Sequence, residues 1–231
     1  MIARISAAFA VTVSLATHAT AEVAPRIEIP SNNRAEAVTA TQSIKGPLTA
    51  QYLSSSLVGD AKNSIQPFDQ TLELQGIRFH VTTALVNGNP VLYIAPQGLE
   101  IDNSKVTQPI TGNIVRAQVA DLDRNGSPEI YVFVRSSGRG VAGELVAYSA
   151  NRKKSLSEIY LPPVSDNPKT AEGYQGEDEF AVTEHALVQQ FPVYDGADAG
   201  AGRTGKMRQV QYRLTPGEAG WVLRVSKVTD Y

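Results

Sequence analysis

The chain has 231 residues, among them 21 Lys and Arg, 23 Asp and Glu, three His and no cysteine, and its formal net charge is −2. A charge this close to zero gives no electrostatic reason to expect nucleic acid or an anionic membrane surface as a partner. The lack of cysteine excludes disulfide bonds within the chain, thiol catalysis and thiolate metal sites, so stability has to come from a buried core.

The first 21 residues have the three parts of a secretory signal. Arg4 supplies the positive start, residues 5–15 form a modestly apolar run, and residues 19–21 are the small residues that signal peptidase accepts. The apolar run is shorter than the ~20 residues that a membrane span needs, and we expect no membrane anchor. We therefore predict a signal peptide over residues 1–21, cleaved before Glu22. The alternative is an amphipathic helix that belongs to the fold.

Residues 22–65 differ in composition from the rest of the chain. They are rich in Ser, Thr, Ala, Asn and Gln, their apolar residues keep no regular period, and Pro25, Pro30 and Pro47 interrupt them. These features predict a flexible N-terminal arm or linker, with a short helix near residues 48–57. The alternative is a segment packed onto the domain.

From residue 66 onwards, short apolar stretches alternate with turn residues, which is typical of β-proteins. The sequence predicts strands over residues 71–74, 77–81, 91–94, 114–119, 130–134, 145–148, 156–161, 179–183, 186–193, 209–214 and 221–228. Gly76 predicts a bulge between the first two, and Asn87-Gly88 predicts a turn. We therefore expect an all-β fold, an antiparallel β-sandwich or flattened barrel of short strands.

A glycine-rich loop separates two of the predicted strands. It consists of Ser136, Ser137, Gly138, Arg139, Gly140, Val141, Ala142 and Gly143. Glycine releases the backbone from the usual φ restrictions, so such a stretch is able to project as a narrow loop. A strand follows it instead of a helix, which excludes a phosphate-binding loop and a nucleophile elbow. Enzymes and inhibitors both use loops of this composition.

Residues 121–129 carry side-chain oxygens at regular spacing. Asp121, Asp123, Asn125 and Glu129 occupy positions one, three, five and nine, and Gly126 occupies position six. The spacing resembles a short calcium loop, although an EF-hand would need Glu at position twelve, where this chain has valine. Two interpretations remain. One is a nine-residue calcium loop of the kind found between strands of some β-proteins; the simpler one is a hairpin turn at Asn125-Gly126 with solvated aspartates.

Groups that could carry out catalysis give weaker signals. Glu177 and Glu179 would share one face of a strand, as a glycosidase pair requires, but Asp178 would point to the other face. The simpler interpretation of this acidic patch is a set of solvated charges. His80 lies within an alternating strand and His185 lies in a hairpin connection, where both are expected to be structural or exposed to solvent. We therefore expect no enzymatic activity and no cofactor.

Six stretches of the chain follow the pattern of one known family. They are residues 72–77, 98–103, 121–132 with the glycine-rich loop that follows, 146–151, 154–163 and 216–223. These stretches resemble the periplasmic inhibitors of invertebrate-type lysozyme. The resemblance is collinear over residues 66–231, which it identifies as a lysozyme-inhibitor-like β domain, and it leaves the arm unexplained. It implies a periplasmic β-protein, usually a homodimer, that protects the peptidoglycan of a Gram-negative bacterium by blocking the active-site cleft of lysozyme.

The inhibitory loop of this family carries the motif S-G-x-Y, whose Ser and Tyr hydroxyls reach the catalytic carboxylates of lysozyme. This chain has Arg139 at the Ser position and Ala142 at the Tyr position, so both hydroxyls are missing. A guanidinium forms charge-assisted, bidentate hydrogen bonds with carboxylates, so Arg139 is the expected replacement. The resemblance thus implies residues 136–143 as the partner-binding loop and lysozyme, of the invertebrate type, as the partner.

Two other functions stay open at this point. The first is a secreted β-domain of the same fold that binds another protein without inhibiting lysozyme, with calcium bound at residues 121–129. The second is a carbohydrate hydrolase that uses the carboxylates of Glu177 and Glu179.

Overall fold

The computed structural model describes residues 65–136, 143–196, 201–218 and 220–231. The predicted signal peptide over residues 1–21 and the helix predicted near residues 48–57 lie outside these ranges. The all-β prediction is confirmed, because the described residues form twelve strands and one four-residue helix, α1 (Pro168–Ala171), which follows a 3₁₀ turn over Val164–Asp166. In this part of the chain no helix is long and apolar enough to cross a membrane.

The first four strands form an antiparallel sheet in chain order. They are β1 (Asp69–Leu74), β2 (Ile77–Val86), β3 (Asn89–Gln97) and β4 (Val106–Pro109). The expected bulge at Gly76 is wrong, because Gln75 and Gly76, with φ of 54° and 83°, form a two-residue hairpin turn between paired strand ends. Asn87 and Gly88, with φ of 51° and 81°, make the turn that the sequence predicts. Strand β4 was not predicted, since it is short, ends in proline and lies at the sheet edge.

The other eight strands form a second sheet in the order β5-β6-β7-β8-β12-β11-β10-β9. They are β5 (Gly112–Ala120), β6 (Glu129–Ser136), β7 (Gly143–Asn151), β8 (Ser155–Tyr160), β9 (Glu179–Val182), β10 (Leu187–Tyr194), β11 (Arg203–Pro216) and β12 (Trp221–Asp230). All pairs are antiparallel except β8 with β12, which run parallel. The outermost strands approach each other, since Arg116 of β5 donates a hydrogen bond of 2.5 Å to the Phe180 carbonyl oxygen of β9. The sheet is therefore a nearly closed barrel.

Strand β6 is buried on both faces and lies between two hydrophobic cores. Ile130, Val132 and Val134 pack with residues of β2 and β3 in one core. Tyr131 and Phe133 pack with residues of β10, β11 and β12 in the other. A strand that is covered on both sides needs apolar residues at consecutive positions, which is why this stretch does not alternate. Both candidate sites adjoin this strand, one at its first residue and one at its last.

Candidate functional site

The structure describes the two ends of the glycine-rich loop. Ser136 is the last residue of β6 and Gly143 is the first residue of β7, and the antiparallel pairing of these strands confirms the two strands predicted around the loop. The remaining predicted loop residues lie outside the described ranges: Ser137, Gly138, Arg139, Gly140, Val141 and Ala142. We call Ser136 and Gly143, together with the residues that pack against them, the hairpin base.

The hairpin base is closely packed on both sides. Gly112 of β5 pairs with the end of β6, and a Cβ atom on Gly112 would lie 2.0 Å from the carbonyl oxygen of Arg135. A Cβ atom on Gly143 would lie 2.8 Å from the Phe180 ring and 2.9 Å from Cβ of Asp178. Close packing therefore requires glycine at position 143, a reason that adds to the backbone freedom that the sequence suggests.

Asp178 joins the hairpin base to a buried chain of hydrogen bonds. Its Oδ2 accepts from the Gly143 amide at 3.3 Å and from the Tyr174 hydroxyl at 2.7 Å, and its Oδ1 accepts from Gln189 at 2.6 Å. Gln189 accepts in turn from the Tyr212 hydroxyl at 2.6 Å. Burial raises the pKa of Asp178 above its ordinary value. The interpretation of this acidic patch as solvated charges is therefore wrong for Asp178, which is 6% exposed.

Glu177 has a different environment from its neighbour. It precedes β9 with a φ of 62°, so the expectation that it shares a strand face with Glu179 is wrong. Its carboxylate accepts hydrogen bonds from the Tyr194 hydroxyl and from Arg203, with which it forms an ion pair. These contacts join the segment before β9 to β10 and β11, which is a structural role.

The two histidines of the described chain lie in exposed contacts with polar side chains. His80 Nε2 lies 2.9 Å from Oδ1 of Asp69 in the neighbouring strand β1. His185 contacts the guanidinium of Arg124, which also donates to Glu184 at 3.1 Å. Their contacts agree with the expectation that both residues are structural or exposed to solvent.

The second candidate site is the acidic loop, residues 121–129, which connects β5 to the first residue of β6. Asp121 accepts the backbone amides of Asn125 and Gly126, each at 3.0 Å, and Asp123 accepts that of Asn125 at 3.2 Å. The Asn125 side-chain amide donates to Asp123 at 2.7 Å. Gly126 has a φ of 80°, which glycine adopts without strain. The chain therefore reverses direction in a longer connection than the two-residue turn that Asn125-Gly126 would form alone.

The acidic loop brings three carboxylates together. Asp121, Asp123 and Glu129 each place a carboxylate oxygen within 4.8 Å of the other two. The Glu129 side chain is 0% exposed. Its Oε2 accepts hydrogen bonds from the Leu122 amide at 2.9 Å and from the Tyr131 hydroxyl at 3.5 Å. Its Oε1 has no hydrogen-bond partner among the described residues. Burial, followed by the charges of Asp123 and Asp121, raises the pKa of Glu129 to about 8. This geometry is able to hold a hard cation.

The sequence predicts Glu129 as a ligand but does not predict its burial, although the residue opens a run of apolar residues in which no polar residue alternates. No local sequence signal places Gly112, Asp178 and Glu144 at the hairpin base. Thr111, for example, donates its hydroxyl hydrogen to Glu144 at 2.7 Å, and this contact spans 33 residues of chain. Only the fold brings such residues to the hairpin base.

The two candidate sites thus lie at opposite ends of β6, and both include a buried carboxylate. The hairpin base is a packed support for the loop that follows it, and the acidic loop offers oxygen ligands. Comparison of the chain with protein-family models, with curated proteins and with solved structures gave no match.

Proposed function

We propose that the protein is a periplasmic inhibitor of lysozyme that blocks the active-site cleft with the connection between β6 and β7 and so protects peptidoglycan. It acts by binding and carries out no reaction. The collinear resemblance over residues 66–231 supports this function, as does the packing of the hairpin base. The same resemblance implies a homodimer, which sedimentation equilibrium would test.

The observation that carries the proposal is that both ends of the glycine-rich loop start from packed backbone. On the β6 side, five consecutive buried apolar residues, 130–134, precede the loop. On the β7 side, Gly143 donates to buried Asp178, and Glu144 accepts from both the hydroxyl and the amide of Thr111. A loop whose ends are held loses less conformational freedom when a partner binds it, so more of the contact energy becomes affinity.

Arg139 supplies the chemistry that the cleft of a lysozyme would recognise. Glycosidases of this kind use two carboxyl groups on either side of the bond that they cleave. A guanidinium placed between them forms charge-assisted hydrogen bonds, which are stronger than the neutral bonds of a hydroxyl. Such bonds contribute about 1.5–3 kcal/mol, which corresponds to roughly a 10- to 100-fold change in dissociation constant.

The test is inhibition of invertebrate-, chicken- and goose-type lysozymes by the purified protein, with dissociation constants for the wild type and for Arg139→Ala. Arg152→Ala is the matched control, because Arg152 is an exposed arginine in the turn at the opposite end of β7. We expect inhibition of the invertebrate-type enzyme by the wild type and the control, and a loss of about 10-fold or more for Arg139→Ala.

Two results would contradict different parts of the proposal. If the wild type inhibits no lysozyme of the panel, the function itself is wrong. If the wild type and Arg139→Ala inhibit equally, the function stands and the role of Arg139 is wrong. Release of sugar from peptidoglycan by the protein alone would favour the hydrolase over the inhibitor.

A further inference from the structure

We propose that the acidic loop is a calcium site in which the carboxylates of Asp121, Asp123 and Glu129 supply the protein ligands. The site goes beyond the proposed lysozyme inhibition and lies at the other end of β6 from the hairpin base. Its chemistry is that of a hard divalent cation bound by carboxylate oxygens and water.

The first argument is the distance between the oxygens. Ca²⁺ binds oxygen at 2.3–2.6 Å, so two oxygens on one ion lie at most about 5 Å apart. Asp121, Asp123 and Glu129 each place a carboxylate oxygen within 4.8 Å of the other two, which a shared ion requires. Asn125, the fourth ligand that the sequence predicts, turns its Nδ2 atom to Asp123 at 2.7 Å, while its Oδ1 accepts from the Ser127 amide at 2.7 Å. In this arrangement Asn125 orients Asp123 and offers no oxygen to the ion.

The second argument does not use the distances and concerns the burial of Glu129 Oε1. The residue is 0% exposed, yet this oxygen accepts no hydrogen bond from any described residue. A buried carboxylate oxygen that lacks a protein donor is costly, because no hydrogen bond from the described residues replaces the hydration lost on folding. A cation between Glu129 and the two aspartates would give this oxygen a partner and would balance the negative charge of the carboxylates that bind it.

The third argument is the absence of a protein cation at this point. Within residues 65–136, 143–196, 201–218 and 220–231, no Lys or Arg side chain forms an ion pair with Asp121, Asp123 or Glu129. Arg124, which lies inside the acidic loop, instead pairs with Glu184. The three carboxylates therefore have no positive partner from the described protein.

The donor set points to calcium among the common cations. The cluster contains oxygen ligands and no His or Cys, which disfavours zinc and copper. Ca²⁺ accepts six to eight oxygens in irregular arrangements, and water completes its shell where the protein supplies fewer. Mg²⁺ demands a near-ideal octahedron and loses its water reluctantly, so we expect it to bind more weakly here.

The experiment measures cation binding by the purified wild type directly. Thermal unfolding is recorded in EGTA, in Ca²⁺ and in Mg²⁺, and Ca²⁺ is titrated by calorimetry. Because a ligand that binds only the folded state stabilises that state, Ca²⁺ should raise the melting temperature. Tb³⁺ serves as a luminescent probe, since the Tyr131 hydroxyl lies 3.5 Å from a Glu129 oxygen and its ring should sensitise the ion. Added Ca²⁺ should displace Tb³⁺ and quench this emission.

Two ligand variants and one control complete the test. Asp123→Asn and Glu129→Gln should each weaken Ca²⁺ binding by about tenfold or more, because affinity depends on the number of charged ligands. Asp166→Asn, at an exposed aspartate far along the chain, should bind Ca²⁺ as the wild type does. Circular dichroism tests whether each variant is folded. If Glu129→Gln does not fold, Asp123→Asn in the acidic loop still tests the site.

Three results would overturn the site. The first is that millimolar Ca²⁺ changes neither the melting temperature nor the calorimetric signal of the wild type. The second is that the wild type and both ligand variants bind Ca²⁺ equally. An equal response to Mg²⁺ and Ca²⁺ would overturn the assignment to calcium. Lysozyme inhibition by the wild type, measured in EGTA and in Ca²⁺, separates this outcome from the proposed function, because the acidic loop and the glycine-rich loop lie at opposite ends of β6.

Discussion

Replacing Asp178 with alanine tests how strongly the hairpin base is held. Asp178 accepts three hydrogen bonds, from Tyr174, Gln189 and Gly143. Alanine removes the acceptor and leaves these donors in place. We expect a less stable protein whose β6–β7 hairpin is held less firmly at the glycine-rich loop.

The size of the loss follows from the burial of the donors. Gln189 is 3% exposed, so its amide hydrogen would remain without a partner, at a cost of about 1–3 kcal/mol. The Tyr174 hydroxyl is half-buried and adds a similar or smaller cost, whereas the Gly143 bond is long and adds little. Removing a carboxylate whose pKa is raised by burial recovers part of the loss. We expect a net decrease of about 2–4 kcal/mol, or about 5–15 °C in melting temperature.

The assay is urea unfolding followed by the fluorescence of Trp221, the only tryptophan of the chain. The urea concentration at the midpoint of unfolding should fall, while the dependence of the unfolding free energy on urea concentration stays the same. A change in that dependence would indicate altered compactness of the folded or unfolded state. Asp166→Ala removes an exposed carboxylate and is the control, for which we expect a change within about 0.5 kcal/mol. If Asp178→Ala changes stability as little as this control, the hydrogen-bonded support of the hairpin base is refuted.

The difference in unfolding free energy between the wild type and Asp178→Ala should also depend on pH, which gives a second check. Because the pKa of Asp178 is raised in the folded state, the folded protein holds this proton more firmly than the unfolded chain does. Between the ordinary pKa of Asp, about 3.9, and the raised value, stability from this group therefore falls as the pH rises. The alanine variant lacks this slope. The stability difference between wild type and variant should thus be larger near pH 4 than near pH 7.

Three further predictions concern the packing around the sites, and the urea midpoint measures each of them. Gly112→Ala should destabilise the protein by about 3 kcal/mol or more, because its Cβ would lie 2.0 Å from the backbone of β6. Gly202→Ala is the control, because a Cβ at position 202 meets open space. Equal losses of stability in the two variants would contradict the close packing at Gly112. Gly143→Ala should cost about 1–3 kcal/mol, because the end of the Phe180 ring is able to shift but Cβ of Asp178, 2.9 Å away, moves only with its backbone. A neutral result would argue against close packing at Gly143. Arg208→Ala breaks a bidentate ion pair with Asp230 and should lower the unfolding free energy by on the order of 3 kcal/mol. A decrease below about 1 kcal/mol would show that water replaces the ion pair.

The strands were predictable wherever local pattern decides them. Alternating apolar residues and the Asn87-Gly88 turn gave the hairpin of β2 and β3, because a two-residue turn with positive φ depends on the residues that form it. Gln75-Gly76 forms the same kind of two-residue turn with positive φ, although its sequence predicts a bulge. Gln75 is not a residue that signals such a turn, and only the strand pairing on both sides shows it.

The sites were predictable in part, since spacing along the chain and burial in the fold are different kinds of information. The sequence by itself determined the oxygens at positions one, three, five and nine of residues 121–129 and the glycine-rich composition of the loop at 136–143. Only the tertiary structure decided that Glu129 is buried with one oxygen unsatisfied, and that Asp178 binds Gly143 across 35 residues. The physical reason is that turn and strand preferences arise between near neighbours. Desolvation and close packing depend instead on strands that are distant in sequence and meet only when the sheet forms.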